Sequence, residues 1–198
     1  MQSANKILLN IKPAFAIFAA MAIILFPLKF IIAWAFASFV HELFHIIAMR
    51  VMKIDILSIT LDGTGAIIET ESISPCQELV CTILGPIGGI SLLIFSEVAP
   101  GIALCALIQS VYNMLPYYPL DGGRALHSLF VLRMGEWKAA QMTRLMNRVL
   151  ISLLLVMAVI MHARYGLGNI LLFTVIILLL RSIKNNFALQ TDNPNSTI

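Results

Sequence analysis

Long apolar runs divide the whole chain, and they constrain its fold more than any other feature of the sequence. A transmembrane helix needs about 20 mainly apolar residues, because an α-helix rises about 1.5 Å per residue and the bilayer core is about 30 Å thick. Runs that approach this length are Ala14–Phe26, Phe30–Met49, Leu79–Phe95, Gly101–Leu115, Val149–Met161 and Leu167–Leu180. Because the first two are too long together for one helix, we predict a tight turn at Pro27–Lys29. The runs predict an all-α polytopic membrane protein with about six transmembrane helices.

The composition excludes most soluble classes of protein. Apolar residues make up 60% of the 198 residues and charged residues make up 12%. An ordinary soluble domain carries about 25% charged residues. So few charges cannot cover a water-soluble globule, which excludes a soluble enzyme, a nucleic-acid-binding protein, a disordered tail and a coiled coil. The three cysteines form no C-x-x-C pair, and we expect them to be reduced and buried.

The positions of Lys and Arg predict the orientation in the membrane. With six spans and a cytoplasmic N-terminus, all of the 13 Lys and Arg except Lys29 and Arg164 fall on the inner side. Cytoplasmic loops of membrane proteins carry such an excess of positive charge. We therefore predict that both termini are cytoplasmic. We also predict a single membrane domain over residues 1–184, followed by a short polar tail over residues 185–198.

The segment Ile54–Ser74 differs from the apolar runs on either side of it. It is rich in Ile and Thr, and Asp62, Gly63 and Gly65 stand between two β-prone stretches. This pattern indicates two short strands joined by a turn. We therefore predict a β-hairpin between the second and third helices.

The second apolar run contains the sequence His41-Glu42-Leu43-Phe44-His45. Residues four apart lie on one face of a helix, so both imidazoles can reach one metal ion, and the glutamate beside them can take a proton from bound water. Alternatively, the three side chains are held by hydrogen bonds in a helix bundle. Ionisable groups inside a membrane are costly and are usually functional, which favours the metal site.

A catalytic zinc site commonly has three protein ligands and a water, so a third ligand is needed. Asp121 follows the fourth run in a stretch broken by Pro and Gly. Irregular backbone at membrane depth is tolerated where protein shields it or where it lines a wet cavity. Asp121 is therefore the favoured third ligand and His127 is the alternative. His162 falls on the other side of the membrane in the predicted topology.

A second motif lies at the end of the fourth run and completes a resemblance. It reads Asn113-x-x-Pro116-x-x-Pro119-x-Asp121-Gly122-Gly123. Together with the H-E-x-x-H motif, it resembles the site-2 protease family of intramembrane zinc metalloproteases, and the six spans resemble its compact, sporulation-protease-like branch. The resemblance extends from about Pro13 to Arg181. Phe44 stands where the family often has Gly, a departure that concerns helix packing beside the metal and not the ligands.

The resemblance implies a role for each matching residue. His41, His45 and Asp121 would be the ligands of one zinc ion per chain. Glu42 would be the general base and later the proton donor to the leaving amine. Asn113 would help to hold the substrate or stabilise the oxyanion.

The resemblance also implies a function and a location. The protein would hydrolyse a peptide bond in or near the transmembrane segment of a membrane-tethered protein, in the bacterial cytoplasmic membrane. The site would open toward the cytoplasm, because His45 is close to Arg50 on the predicted inner side. Its partners would be the membrane-spanning substrate, the bilayer and a separate regulatory membrane protein, but no nucleic acid. The alternative is an inactive relative that binds and retains membrane proteins. The oligomeric state stays open.

Overall fold

The computed structural model describes residues 8–62, 65–70 and 72–165 together with residue 176. Its elements are β1 (Leu8–Ile11), α1 (Pro13–Leu25), α2 (Leu28–Val51), β2 (Ile56–Asp62), β3 (Gly65–Thr70), α3 (Pro75–Ser91, continued by a 3-10 turn, Leu92–Phe95), α4 (Pro100–Asn113), α5 (Asp121–Met134) and α6 (Glu136–Tyr165). The chain forms two compact units, residues 1–115 and residues 116–198. The division into residues 1–184 and 185–198 stays a prediction.

The helices confirm the predicted fold class, a polytopic membrane protein with a β-hairpin between its second and third helices. By length and composition, three helical segments among the described residues can cross a membrane, namely Leu28–Val51, Pro75–Phe95 and Glu136–Arg164, and α1 is a shorter apolar helix. The predicted span Leu167–Leu180 lies outside the described residues, apart from residue 176, as does the tail over residues 185–198. The three cysteines are free, but Cys76 is exposed, so the prediction of burial was wrong for that residue.

The first two helices are separated at Phe26 and Pro27, so the predicted turn is confirmed at Pro27, whereas Leu28 and Lys29 already belong to α2. Pro27 immediately precedes α2, and α1 ends at Leu25. Proline lacks the backbone N–H that a helix interior requires, and it disfavours helical geometry at the residue before it. The apolar sequence on both sides therefore forms two helices rather than one.

A three-stranded sheet lies in the first unit, with β2 between its neighbours. β2 pairs antiparallel with β3, so the predicted hairpin is confirmed, and it pairs parallel with β1. The strand β1 was not predicted. The parallel pairing places the residues before α1 beside the residues after α2.

The core of the first unit lies between α2, α3 and α4. Buried positions on α2 recur every three or four residues from Ala33 to Ala48, and they are Ala33, Ala37, His41, His45 and Ala48, with the adjacent Met49. The first two pack against Leu92 and Ala106, and the last two pack against Ile56 and Cys81. The histidine pair therefore lies between two apolar clusters on one helix face.

The second unit contains α5 and α6, and it differs from the sequence prediction in two ways. We did not predict α5, which begins at Asp121. The helix α6 begins at Glu136 rather than at Val149, where the apolar run starts. Lys138 and Arg144 interrupt the apolar pattern, but both residue types are good helix formers. The start of the apolar run therefore does not coincide with the start of the helix.

Candidate metal centre

His41 and His45 face each other one turn apart on α2, and both side chains are buried. Their Nε2 atoms are 3.1 Å apart, and the two rings meet edge to face. Nitrogen ligands lie about 2.0–2.1 Å from zinc, so two of them in a tetrahedral site are about 3.3–3.4 Å apart. The observed separation fits two ligands of a single ion.

A carbonyl group on α3 orients the second histidine. Nδ1 of His45 lies 2.8 Å from the backbone oxygen of Cys81. A carbonyl oxygen only accepts hydrogen bonds, so Nδ1 carries the proton and Nε2 keeps its lone pair toward His41. Metal-binding histidines typically donate their other N–H to a carbonyl or a carboxylate, which fixes both tautomer and ring orientation. No sequence pattern indicates this partner, because it is a main-chain group on another helix.

Glycines on α3 make room for side chains of α2. A Cβ at Gly85 would overlap the imidazole of His45, and a Cβ at Gly88 would overlap the ring of Phe44. Glycine lets helices approach closely in a membrane. The bulky Phe44 is therefore accommodated by Gly88, which explains how α2 tolerates Phe where the resemblance leads one to expect Gly.

The helix α4 brings two amide side chains against α2. Asn113, its last residue, is half-buried, and its Nδ2 lies 3.4 Å from Nε2 of His41. One turn earlier, Nε2 of Gln109 donates to the hydroxyl of Ser38 at 2.9 Å. Glu42 follows His41 on α2 and is half-buried. Sequence reasoning missed Gln109, although an amide in an apolar run was a usable signal.

Asp121 belongs to the second unit, where it is buried at the first position of α5. The preceding segment, residues 116–120, has no regular secondary structure, and Tyr117 within it is fully buried. A carboxylate is favoured in the first turn of a helix, where backbone N–H groups and the positive end of the helix dipole lie. The local structure therefore gives Asp121 a fixed place with its charge stabilised.

His127, the alternative third ligand, is directed toward α6. Its Nδ1 lies 2.9 Å from Oγ1 of Thr143, and its Nε2 lies 4.0 Å from a carboxylate oxygen of Glu136. It is six residues past Asp121, so the two side chains lie about 120° apart around α5. These contacts support Asp121 rather than His127, and the identity of the third ligand stays a prediction.

The described helices and sheet, with a buried histidine pair, define a polytopic membrane protein that has a candidate metal centre. The fold is similar to that of the site-2 protease from Methanocaldococcus jannaschii, with a TM-score of 0.65 and 21% identity over 90% of this chain and 89% of that chain. This match confirms the predicted resemblance at the level of the fold.

Sequence comparison adds one partial match. A Synechocystis protein named "Putative zinc metalloprotease" is 34% identical over 113 aligned residues. The match spans 48% of this chain and only 29% of that protein's length. No protein-family model matches the sequence.

Proposed function

We propose that this chain is an intramembrane zinc metalloprotease of the site-2 protease family. It would hydrolyse a peptide bond in or near the transmembrane segment of a membrane-tethered protein. The observation that carries the proposal is the buried pair His41 and His45, whose Nε2 atoms are 3.1 Å apart inside an apolar helix. The fold shared with a site-2 protease and the partial similarity to a protein named as a zinc metalloprotease support it.

The proposed ligands of one zinc ion are His41, His45 and Asp121. All three are buried, and each offers one ligand atom. Two imidazoles and a carboxylate form a donor set that suits a catalytic zinc site with one open position. A zinc ion bound there would polarise the scissile carbonyl and lower the pKa of a bound water to about 7.

Glu42 and Asn113 are the proposed catalytic residues. Glu42, beside His41 on α2, would accept a proton from the attacking water and later deliver it to the leaving amine. Asn113 has an amide Nδ2 near Nε2 of His41, where it would donate a hydrogen bond to the carbonyl oxygen of the substrate. Because that oxygen gains negative charge during attack, such a donor stabilises the transition state more than the ground state.

The proposed substrate must be extended before it is cut, because the amides of a membrane-spanning helix are engaged in internal hydrogen bonds. Among the described residues, no strand pairs with the outer edge of β3, so an extended segment could add there as a further strand. The hydrogen-bonding groups of β3 alternate between this outer edge and β2. The carbonyl of Leu61 accepts a hydrogen bond from the N–H of Lys12, so the main-chain polar groups of Leu61 face the β1 side of the sheet.

The main-chain N–H and C=O groups of successive residues point to opposite sides of a strand. Those of Thr60 therefore point to β3, where Thr60 pairs with Ile67. The neighbouring Ile68 therefore directs its N–H and C=O outward.

The proposed function requires a membrane-spanning substrate and the bilayer as partners, and whether a separate membrane protein regulates it stays open. We propose the bacterial cytoplasmic membrane, with both termini cytoplasmic and the site open toward the cytoplasm. The excess of Lys and Arg on that side of the predicted topology supports this orientation. In the alternative function, an inactive relative would bind membrane proteins without cutting them.

Cleavage by the reconstituted protein tests the proposal. The wild type in liposomes, supplied with zinc and a panel of single-span substrates, should cut at least one of them within or beside its span. Glu42→Gln is the matched control, because it keeps the size of the side chain and removes the base. It should keep its zinc and lose cleavage. Loss of zinc would make Glu42 a ligand, and equal cleavage by both proteins would refute its role as the base.

A further inference from the structure

A side chain outside the predicted site holds the main chain just before Asp121. The backbone N–H of Tyr118 donates to Oδ1 of Asn147 at 3.0 Å, and Nδ2 of Asn147 donates to the carbonyl of Tyr118 at 3.1 Å. One amide on α6 therefore binds both main-chain groups of a residue in the irregular segment. Asparagine suits this geometry because its side chain carries an acceptor and donors side by side.

The irregular segment is also fixed from the side of α5. The N–H of Leu120 donates to the carbonyl of Tyr117 at 2.7 Å, which closes a turn before the helix. A Cβ at Gly123 would overlap the backbone of Tyr117 and Tyr118. The start of α5 therefore packs directly on the main chain that Asn147 holds. Asp121 therefore lies in the chain between Tyr118, which Asn147 holds, and Gly123, which packs on the main chain of Tyr117 and Tyr118.

We propose that Asn147 is a positioning residue of the metal centre. By holding Tyr118 it fixes the place of the Asp121 carboxylate, and so it sets the affinity for zinc. The inference rests on the proposed function, in which Asp121 is a ligand. Groups that orient metal ligands from outside typically change metal affinity by about 10- to 100-fold when they are removed.

The same pair of helices offers a matched control one turn earlier on α6. Thr143 is buried, and its Oγ1 lies 2.9 Å from Nδ1 of His127 on α5. Thr143→Val keeps the size of the side chain and removes this polar contact between α5 and α6. The ring of His127 packs edge to face on the ring of Tyr118, with 5.6 Å between the centroids, so Thr143→Val loosens the same helix pair. It leaves both hydrogen bonds between Asn147 and the main chain of Tyr118 in place, and therefore measures what a general weakening of the helix pair does to the metal centre.

The test compares zinc affinity of the purified full chain in detergent, measured by chelator competition. Asn147→Ala should bind zinc about 10- to 100-fold more weakly than the wild type, whereas Thr143→Val should stay close to it. Asn147→Asp keeps the acceptor for the N–H of Tyr118 but sets a carboxylate oxygen, in place of a donor, against the carbonyl of Tyr118, so its affinity should also fall below that of the wild type. Should Asn147→Ala fail to fold, Asn147→Asp carries the test.

Cobalt in place of zinc gives a readout that a merely structural role would not move. The visible spectrum of the cobalt-loaded protein should change in both Asn147 variants and should match the wild type in Thr143→Val. Equal losses of affinity in Asn147→Ala and Thr143→Val would overturn the inference, as would wild-type affinity in the Asn147 variants.

The same series separates failure of the inference from failure of the proposed function. If the wild type binds zinc and Asp121→Ala abolishes binding, wild-type affinity in the Asn147 variants overturns the inference alone. If the wild type binds no zinc, or if Asp121→Ala binds it as tightly as the wild type, the proposed ligand set is refuted. The inference is then refuted with it.

Discussion

Gly85→Ala should weaken zinc binding although the glycine carries no ligand atom. The added methyl group would overlap the Nε2 and Cε1 atoms of the His45 ring, the edge that we propose faces the metal. Relief requires the ring to turn or the two helices to separate. Turning the ring also strains its 2.8 Å hydrogen bond to the carbonyl of Cys81.

The size of the effect follows from the cost of overpacking. An extra methyl group in a well-packed interior costs about 1–3 kcal/mol. If that strain opposes the zinc-bound position of His45, the affinity falls about 5- to 140-fold, because each 1.4 kcal/mol is a factor of ten. If the helices separated instead, the cost would appear as lost thermal stability with unchanged affinity, and that result would refute the prediction.

Two other glycines provide the controls. Gly88→Ala would overlap the ring of Phe44, which is not a ligand, so it should lower thermal stability without lowering zinc affinity. Replacing Phe44 by Ala in that background should restore the stability. A Cβ at Gly101 has nothing within 4 Å, so Gly101→Ala should change neither property.

The assay is chelator competition for zinc, combined with thermal unfolding of each variant in detergent. We expect Gly85→Ala alone to lose affinity beyond its loss of stability. If Gly85→Ala and Gly88→Ala bind zinc equally well, the argument that α3 positions His45 is refuted.

Two further predictions concern the sheet and the alternative ligand. Ile68→Pro removes an outward N–H at the edge of β3 and should reduce cleavage without changing bound zinc, since its pairing with β2 is preserved. The N–H of Ile67 faces β2, so Ile67→Pro should also destabilise the hairpin in thermal unfolding. Unchanged cleavage by Ile68→Pro would refute strand addition and leave the hairpin as a membrane-associated lid. His127→Ala should keep a full complement of zinc by elemental analysis, because its nitrogens are directed toward α6, and a loss of zinc would reinstate it as a ligand.

The parts of the fold that the sequence predicted are those encoded by local patterns. The apolar run of α2 with its H-E-x-x-H motif, the break at Pro27 and the hairpin after residue 54 each depend on neighbours in the chain. Their periodicity and turn residues carry the information directly. The same locality explains why the candidate ligands on α2 could be named without a structure.

The parts that were missed depend on contacts distant in sequence. The sequence of β1, Leu-Leu-Asn-Ile, does not alternate between apolar and polar residues, and all four residues are exposed. Its pairing with β2 joins segments that two helices separate in the chain. The partner of His45 is the backbone carbonyl of Cys81. Every residue has such a group, so the sequence does not distinguish the one that binds the imidazole. Asn147 is one amide at the start of an apolar run, and its role appears only once α6 packs beside the segment before Asp121.

The metal content of the purified full chain tests the central claim most directly. Wild type, His45→Ala and Asp121→Ala would be supplied with zinc, freed of loosely bound metal and measured for zinc per chain, with folding checked by helical content. The account predicts one zinc per chain in the wild type and its loss from both variants. A folded wild type without zinc, or full occupancy in either variant, would contradict it.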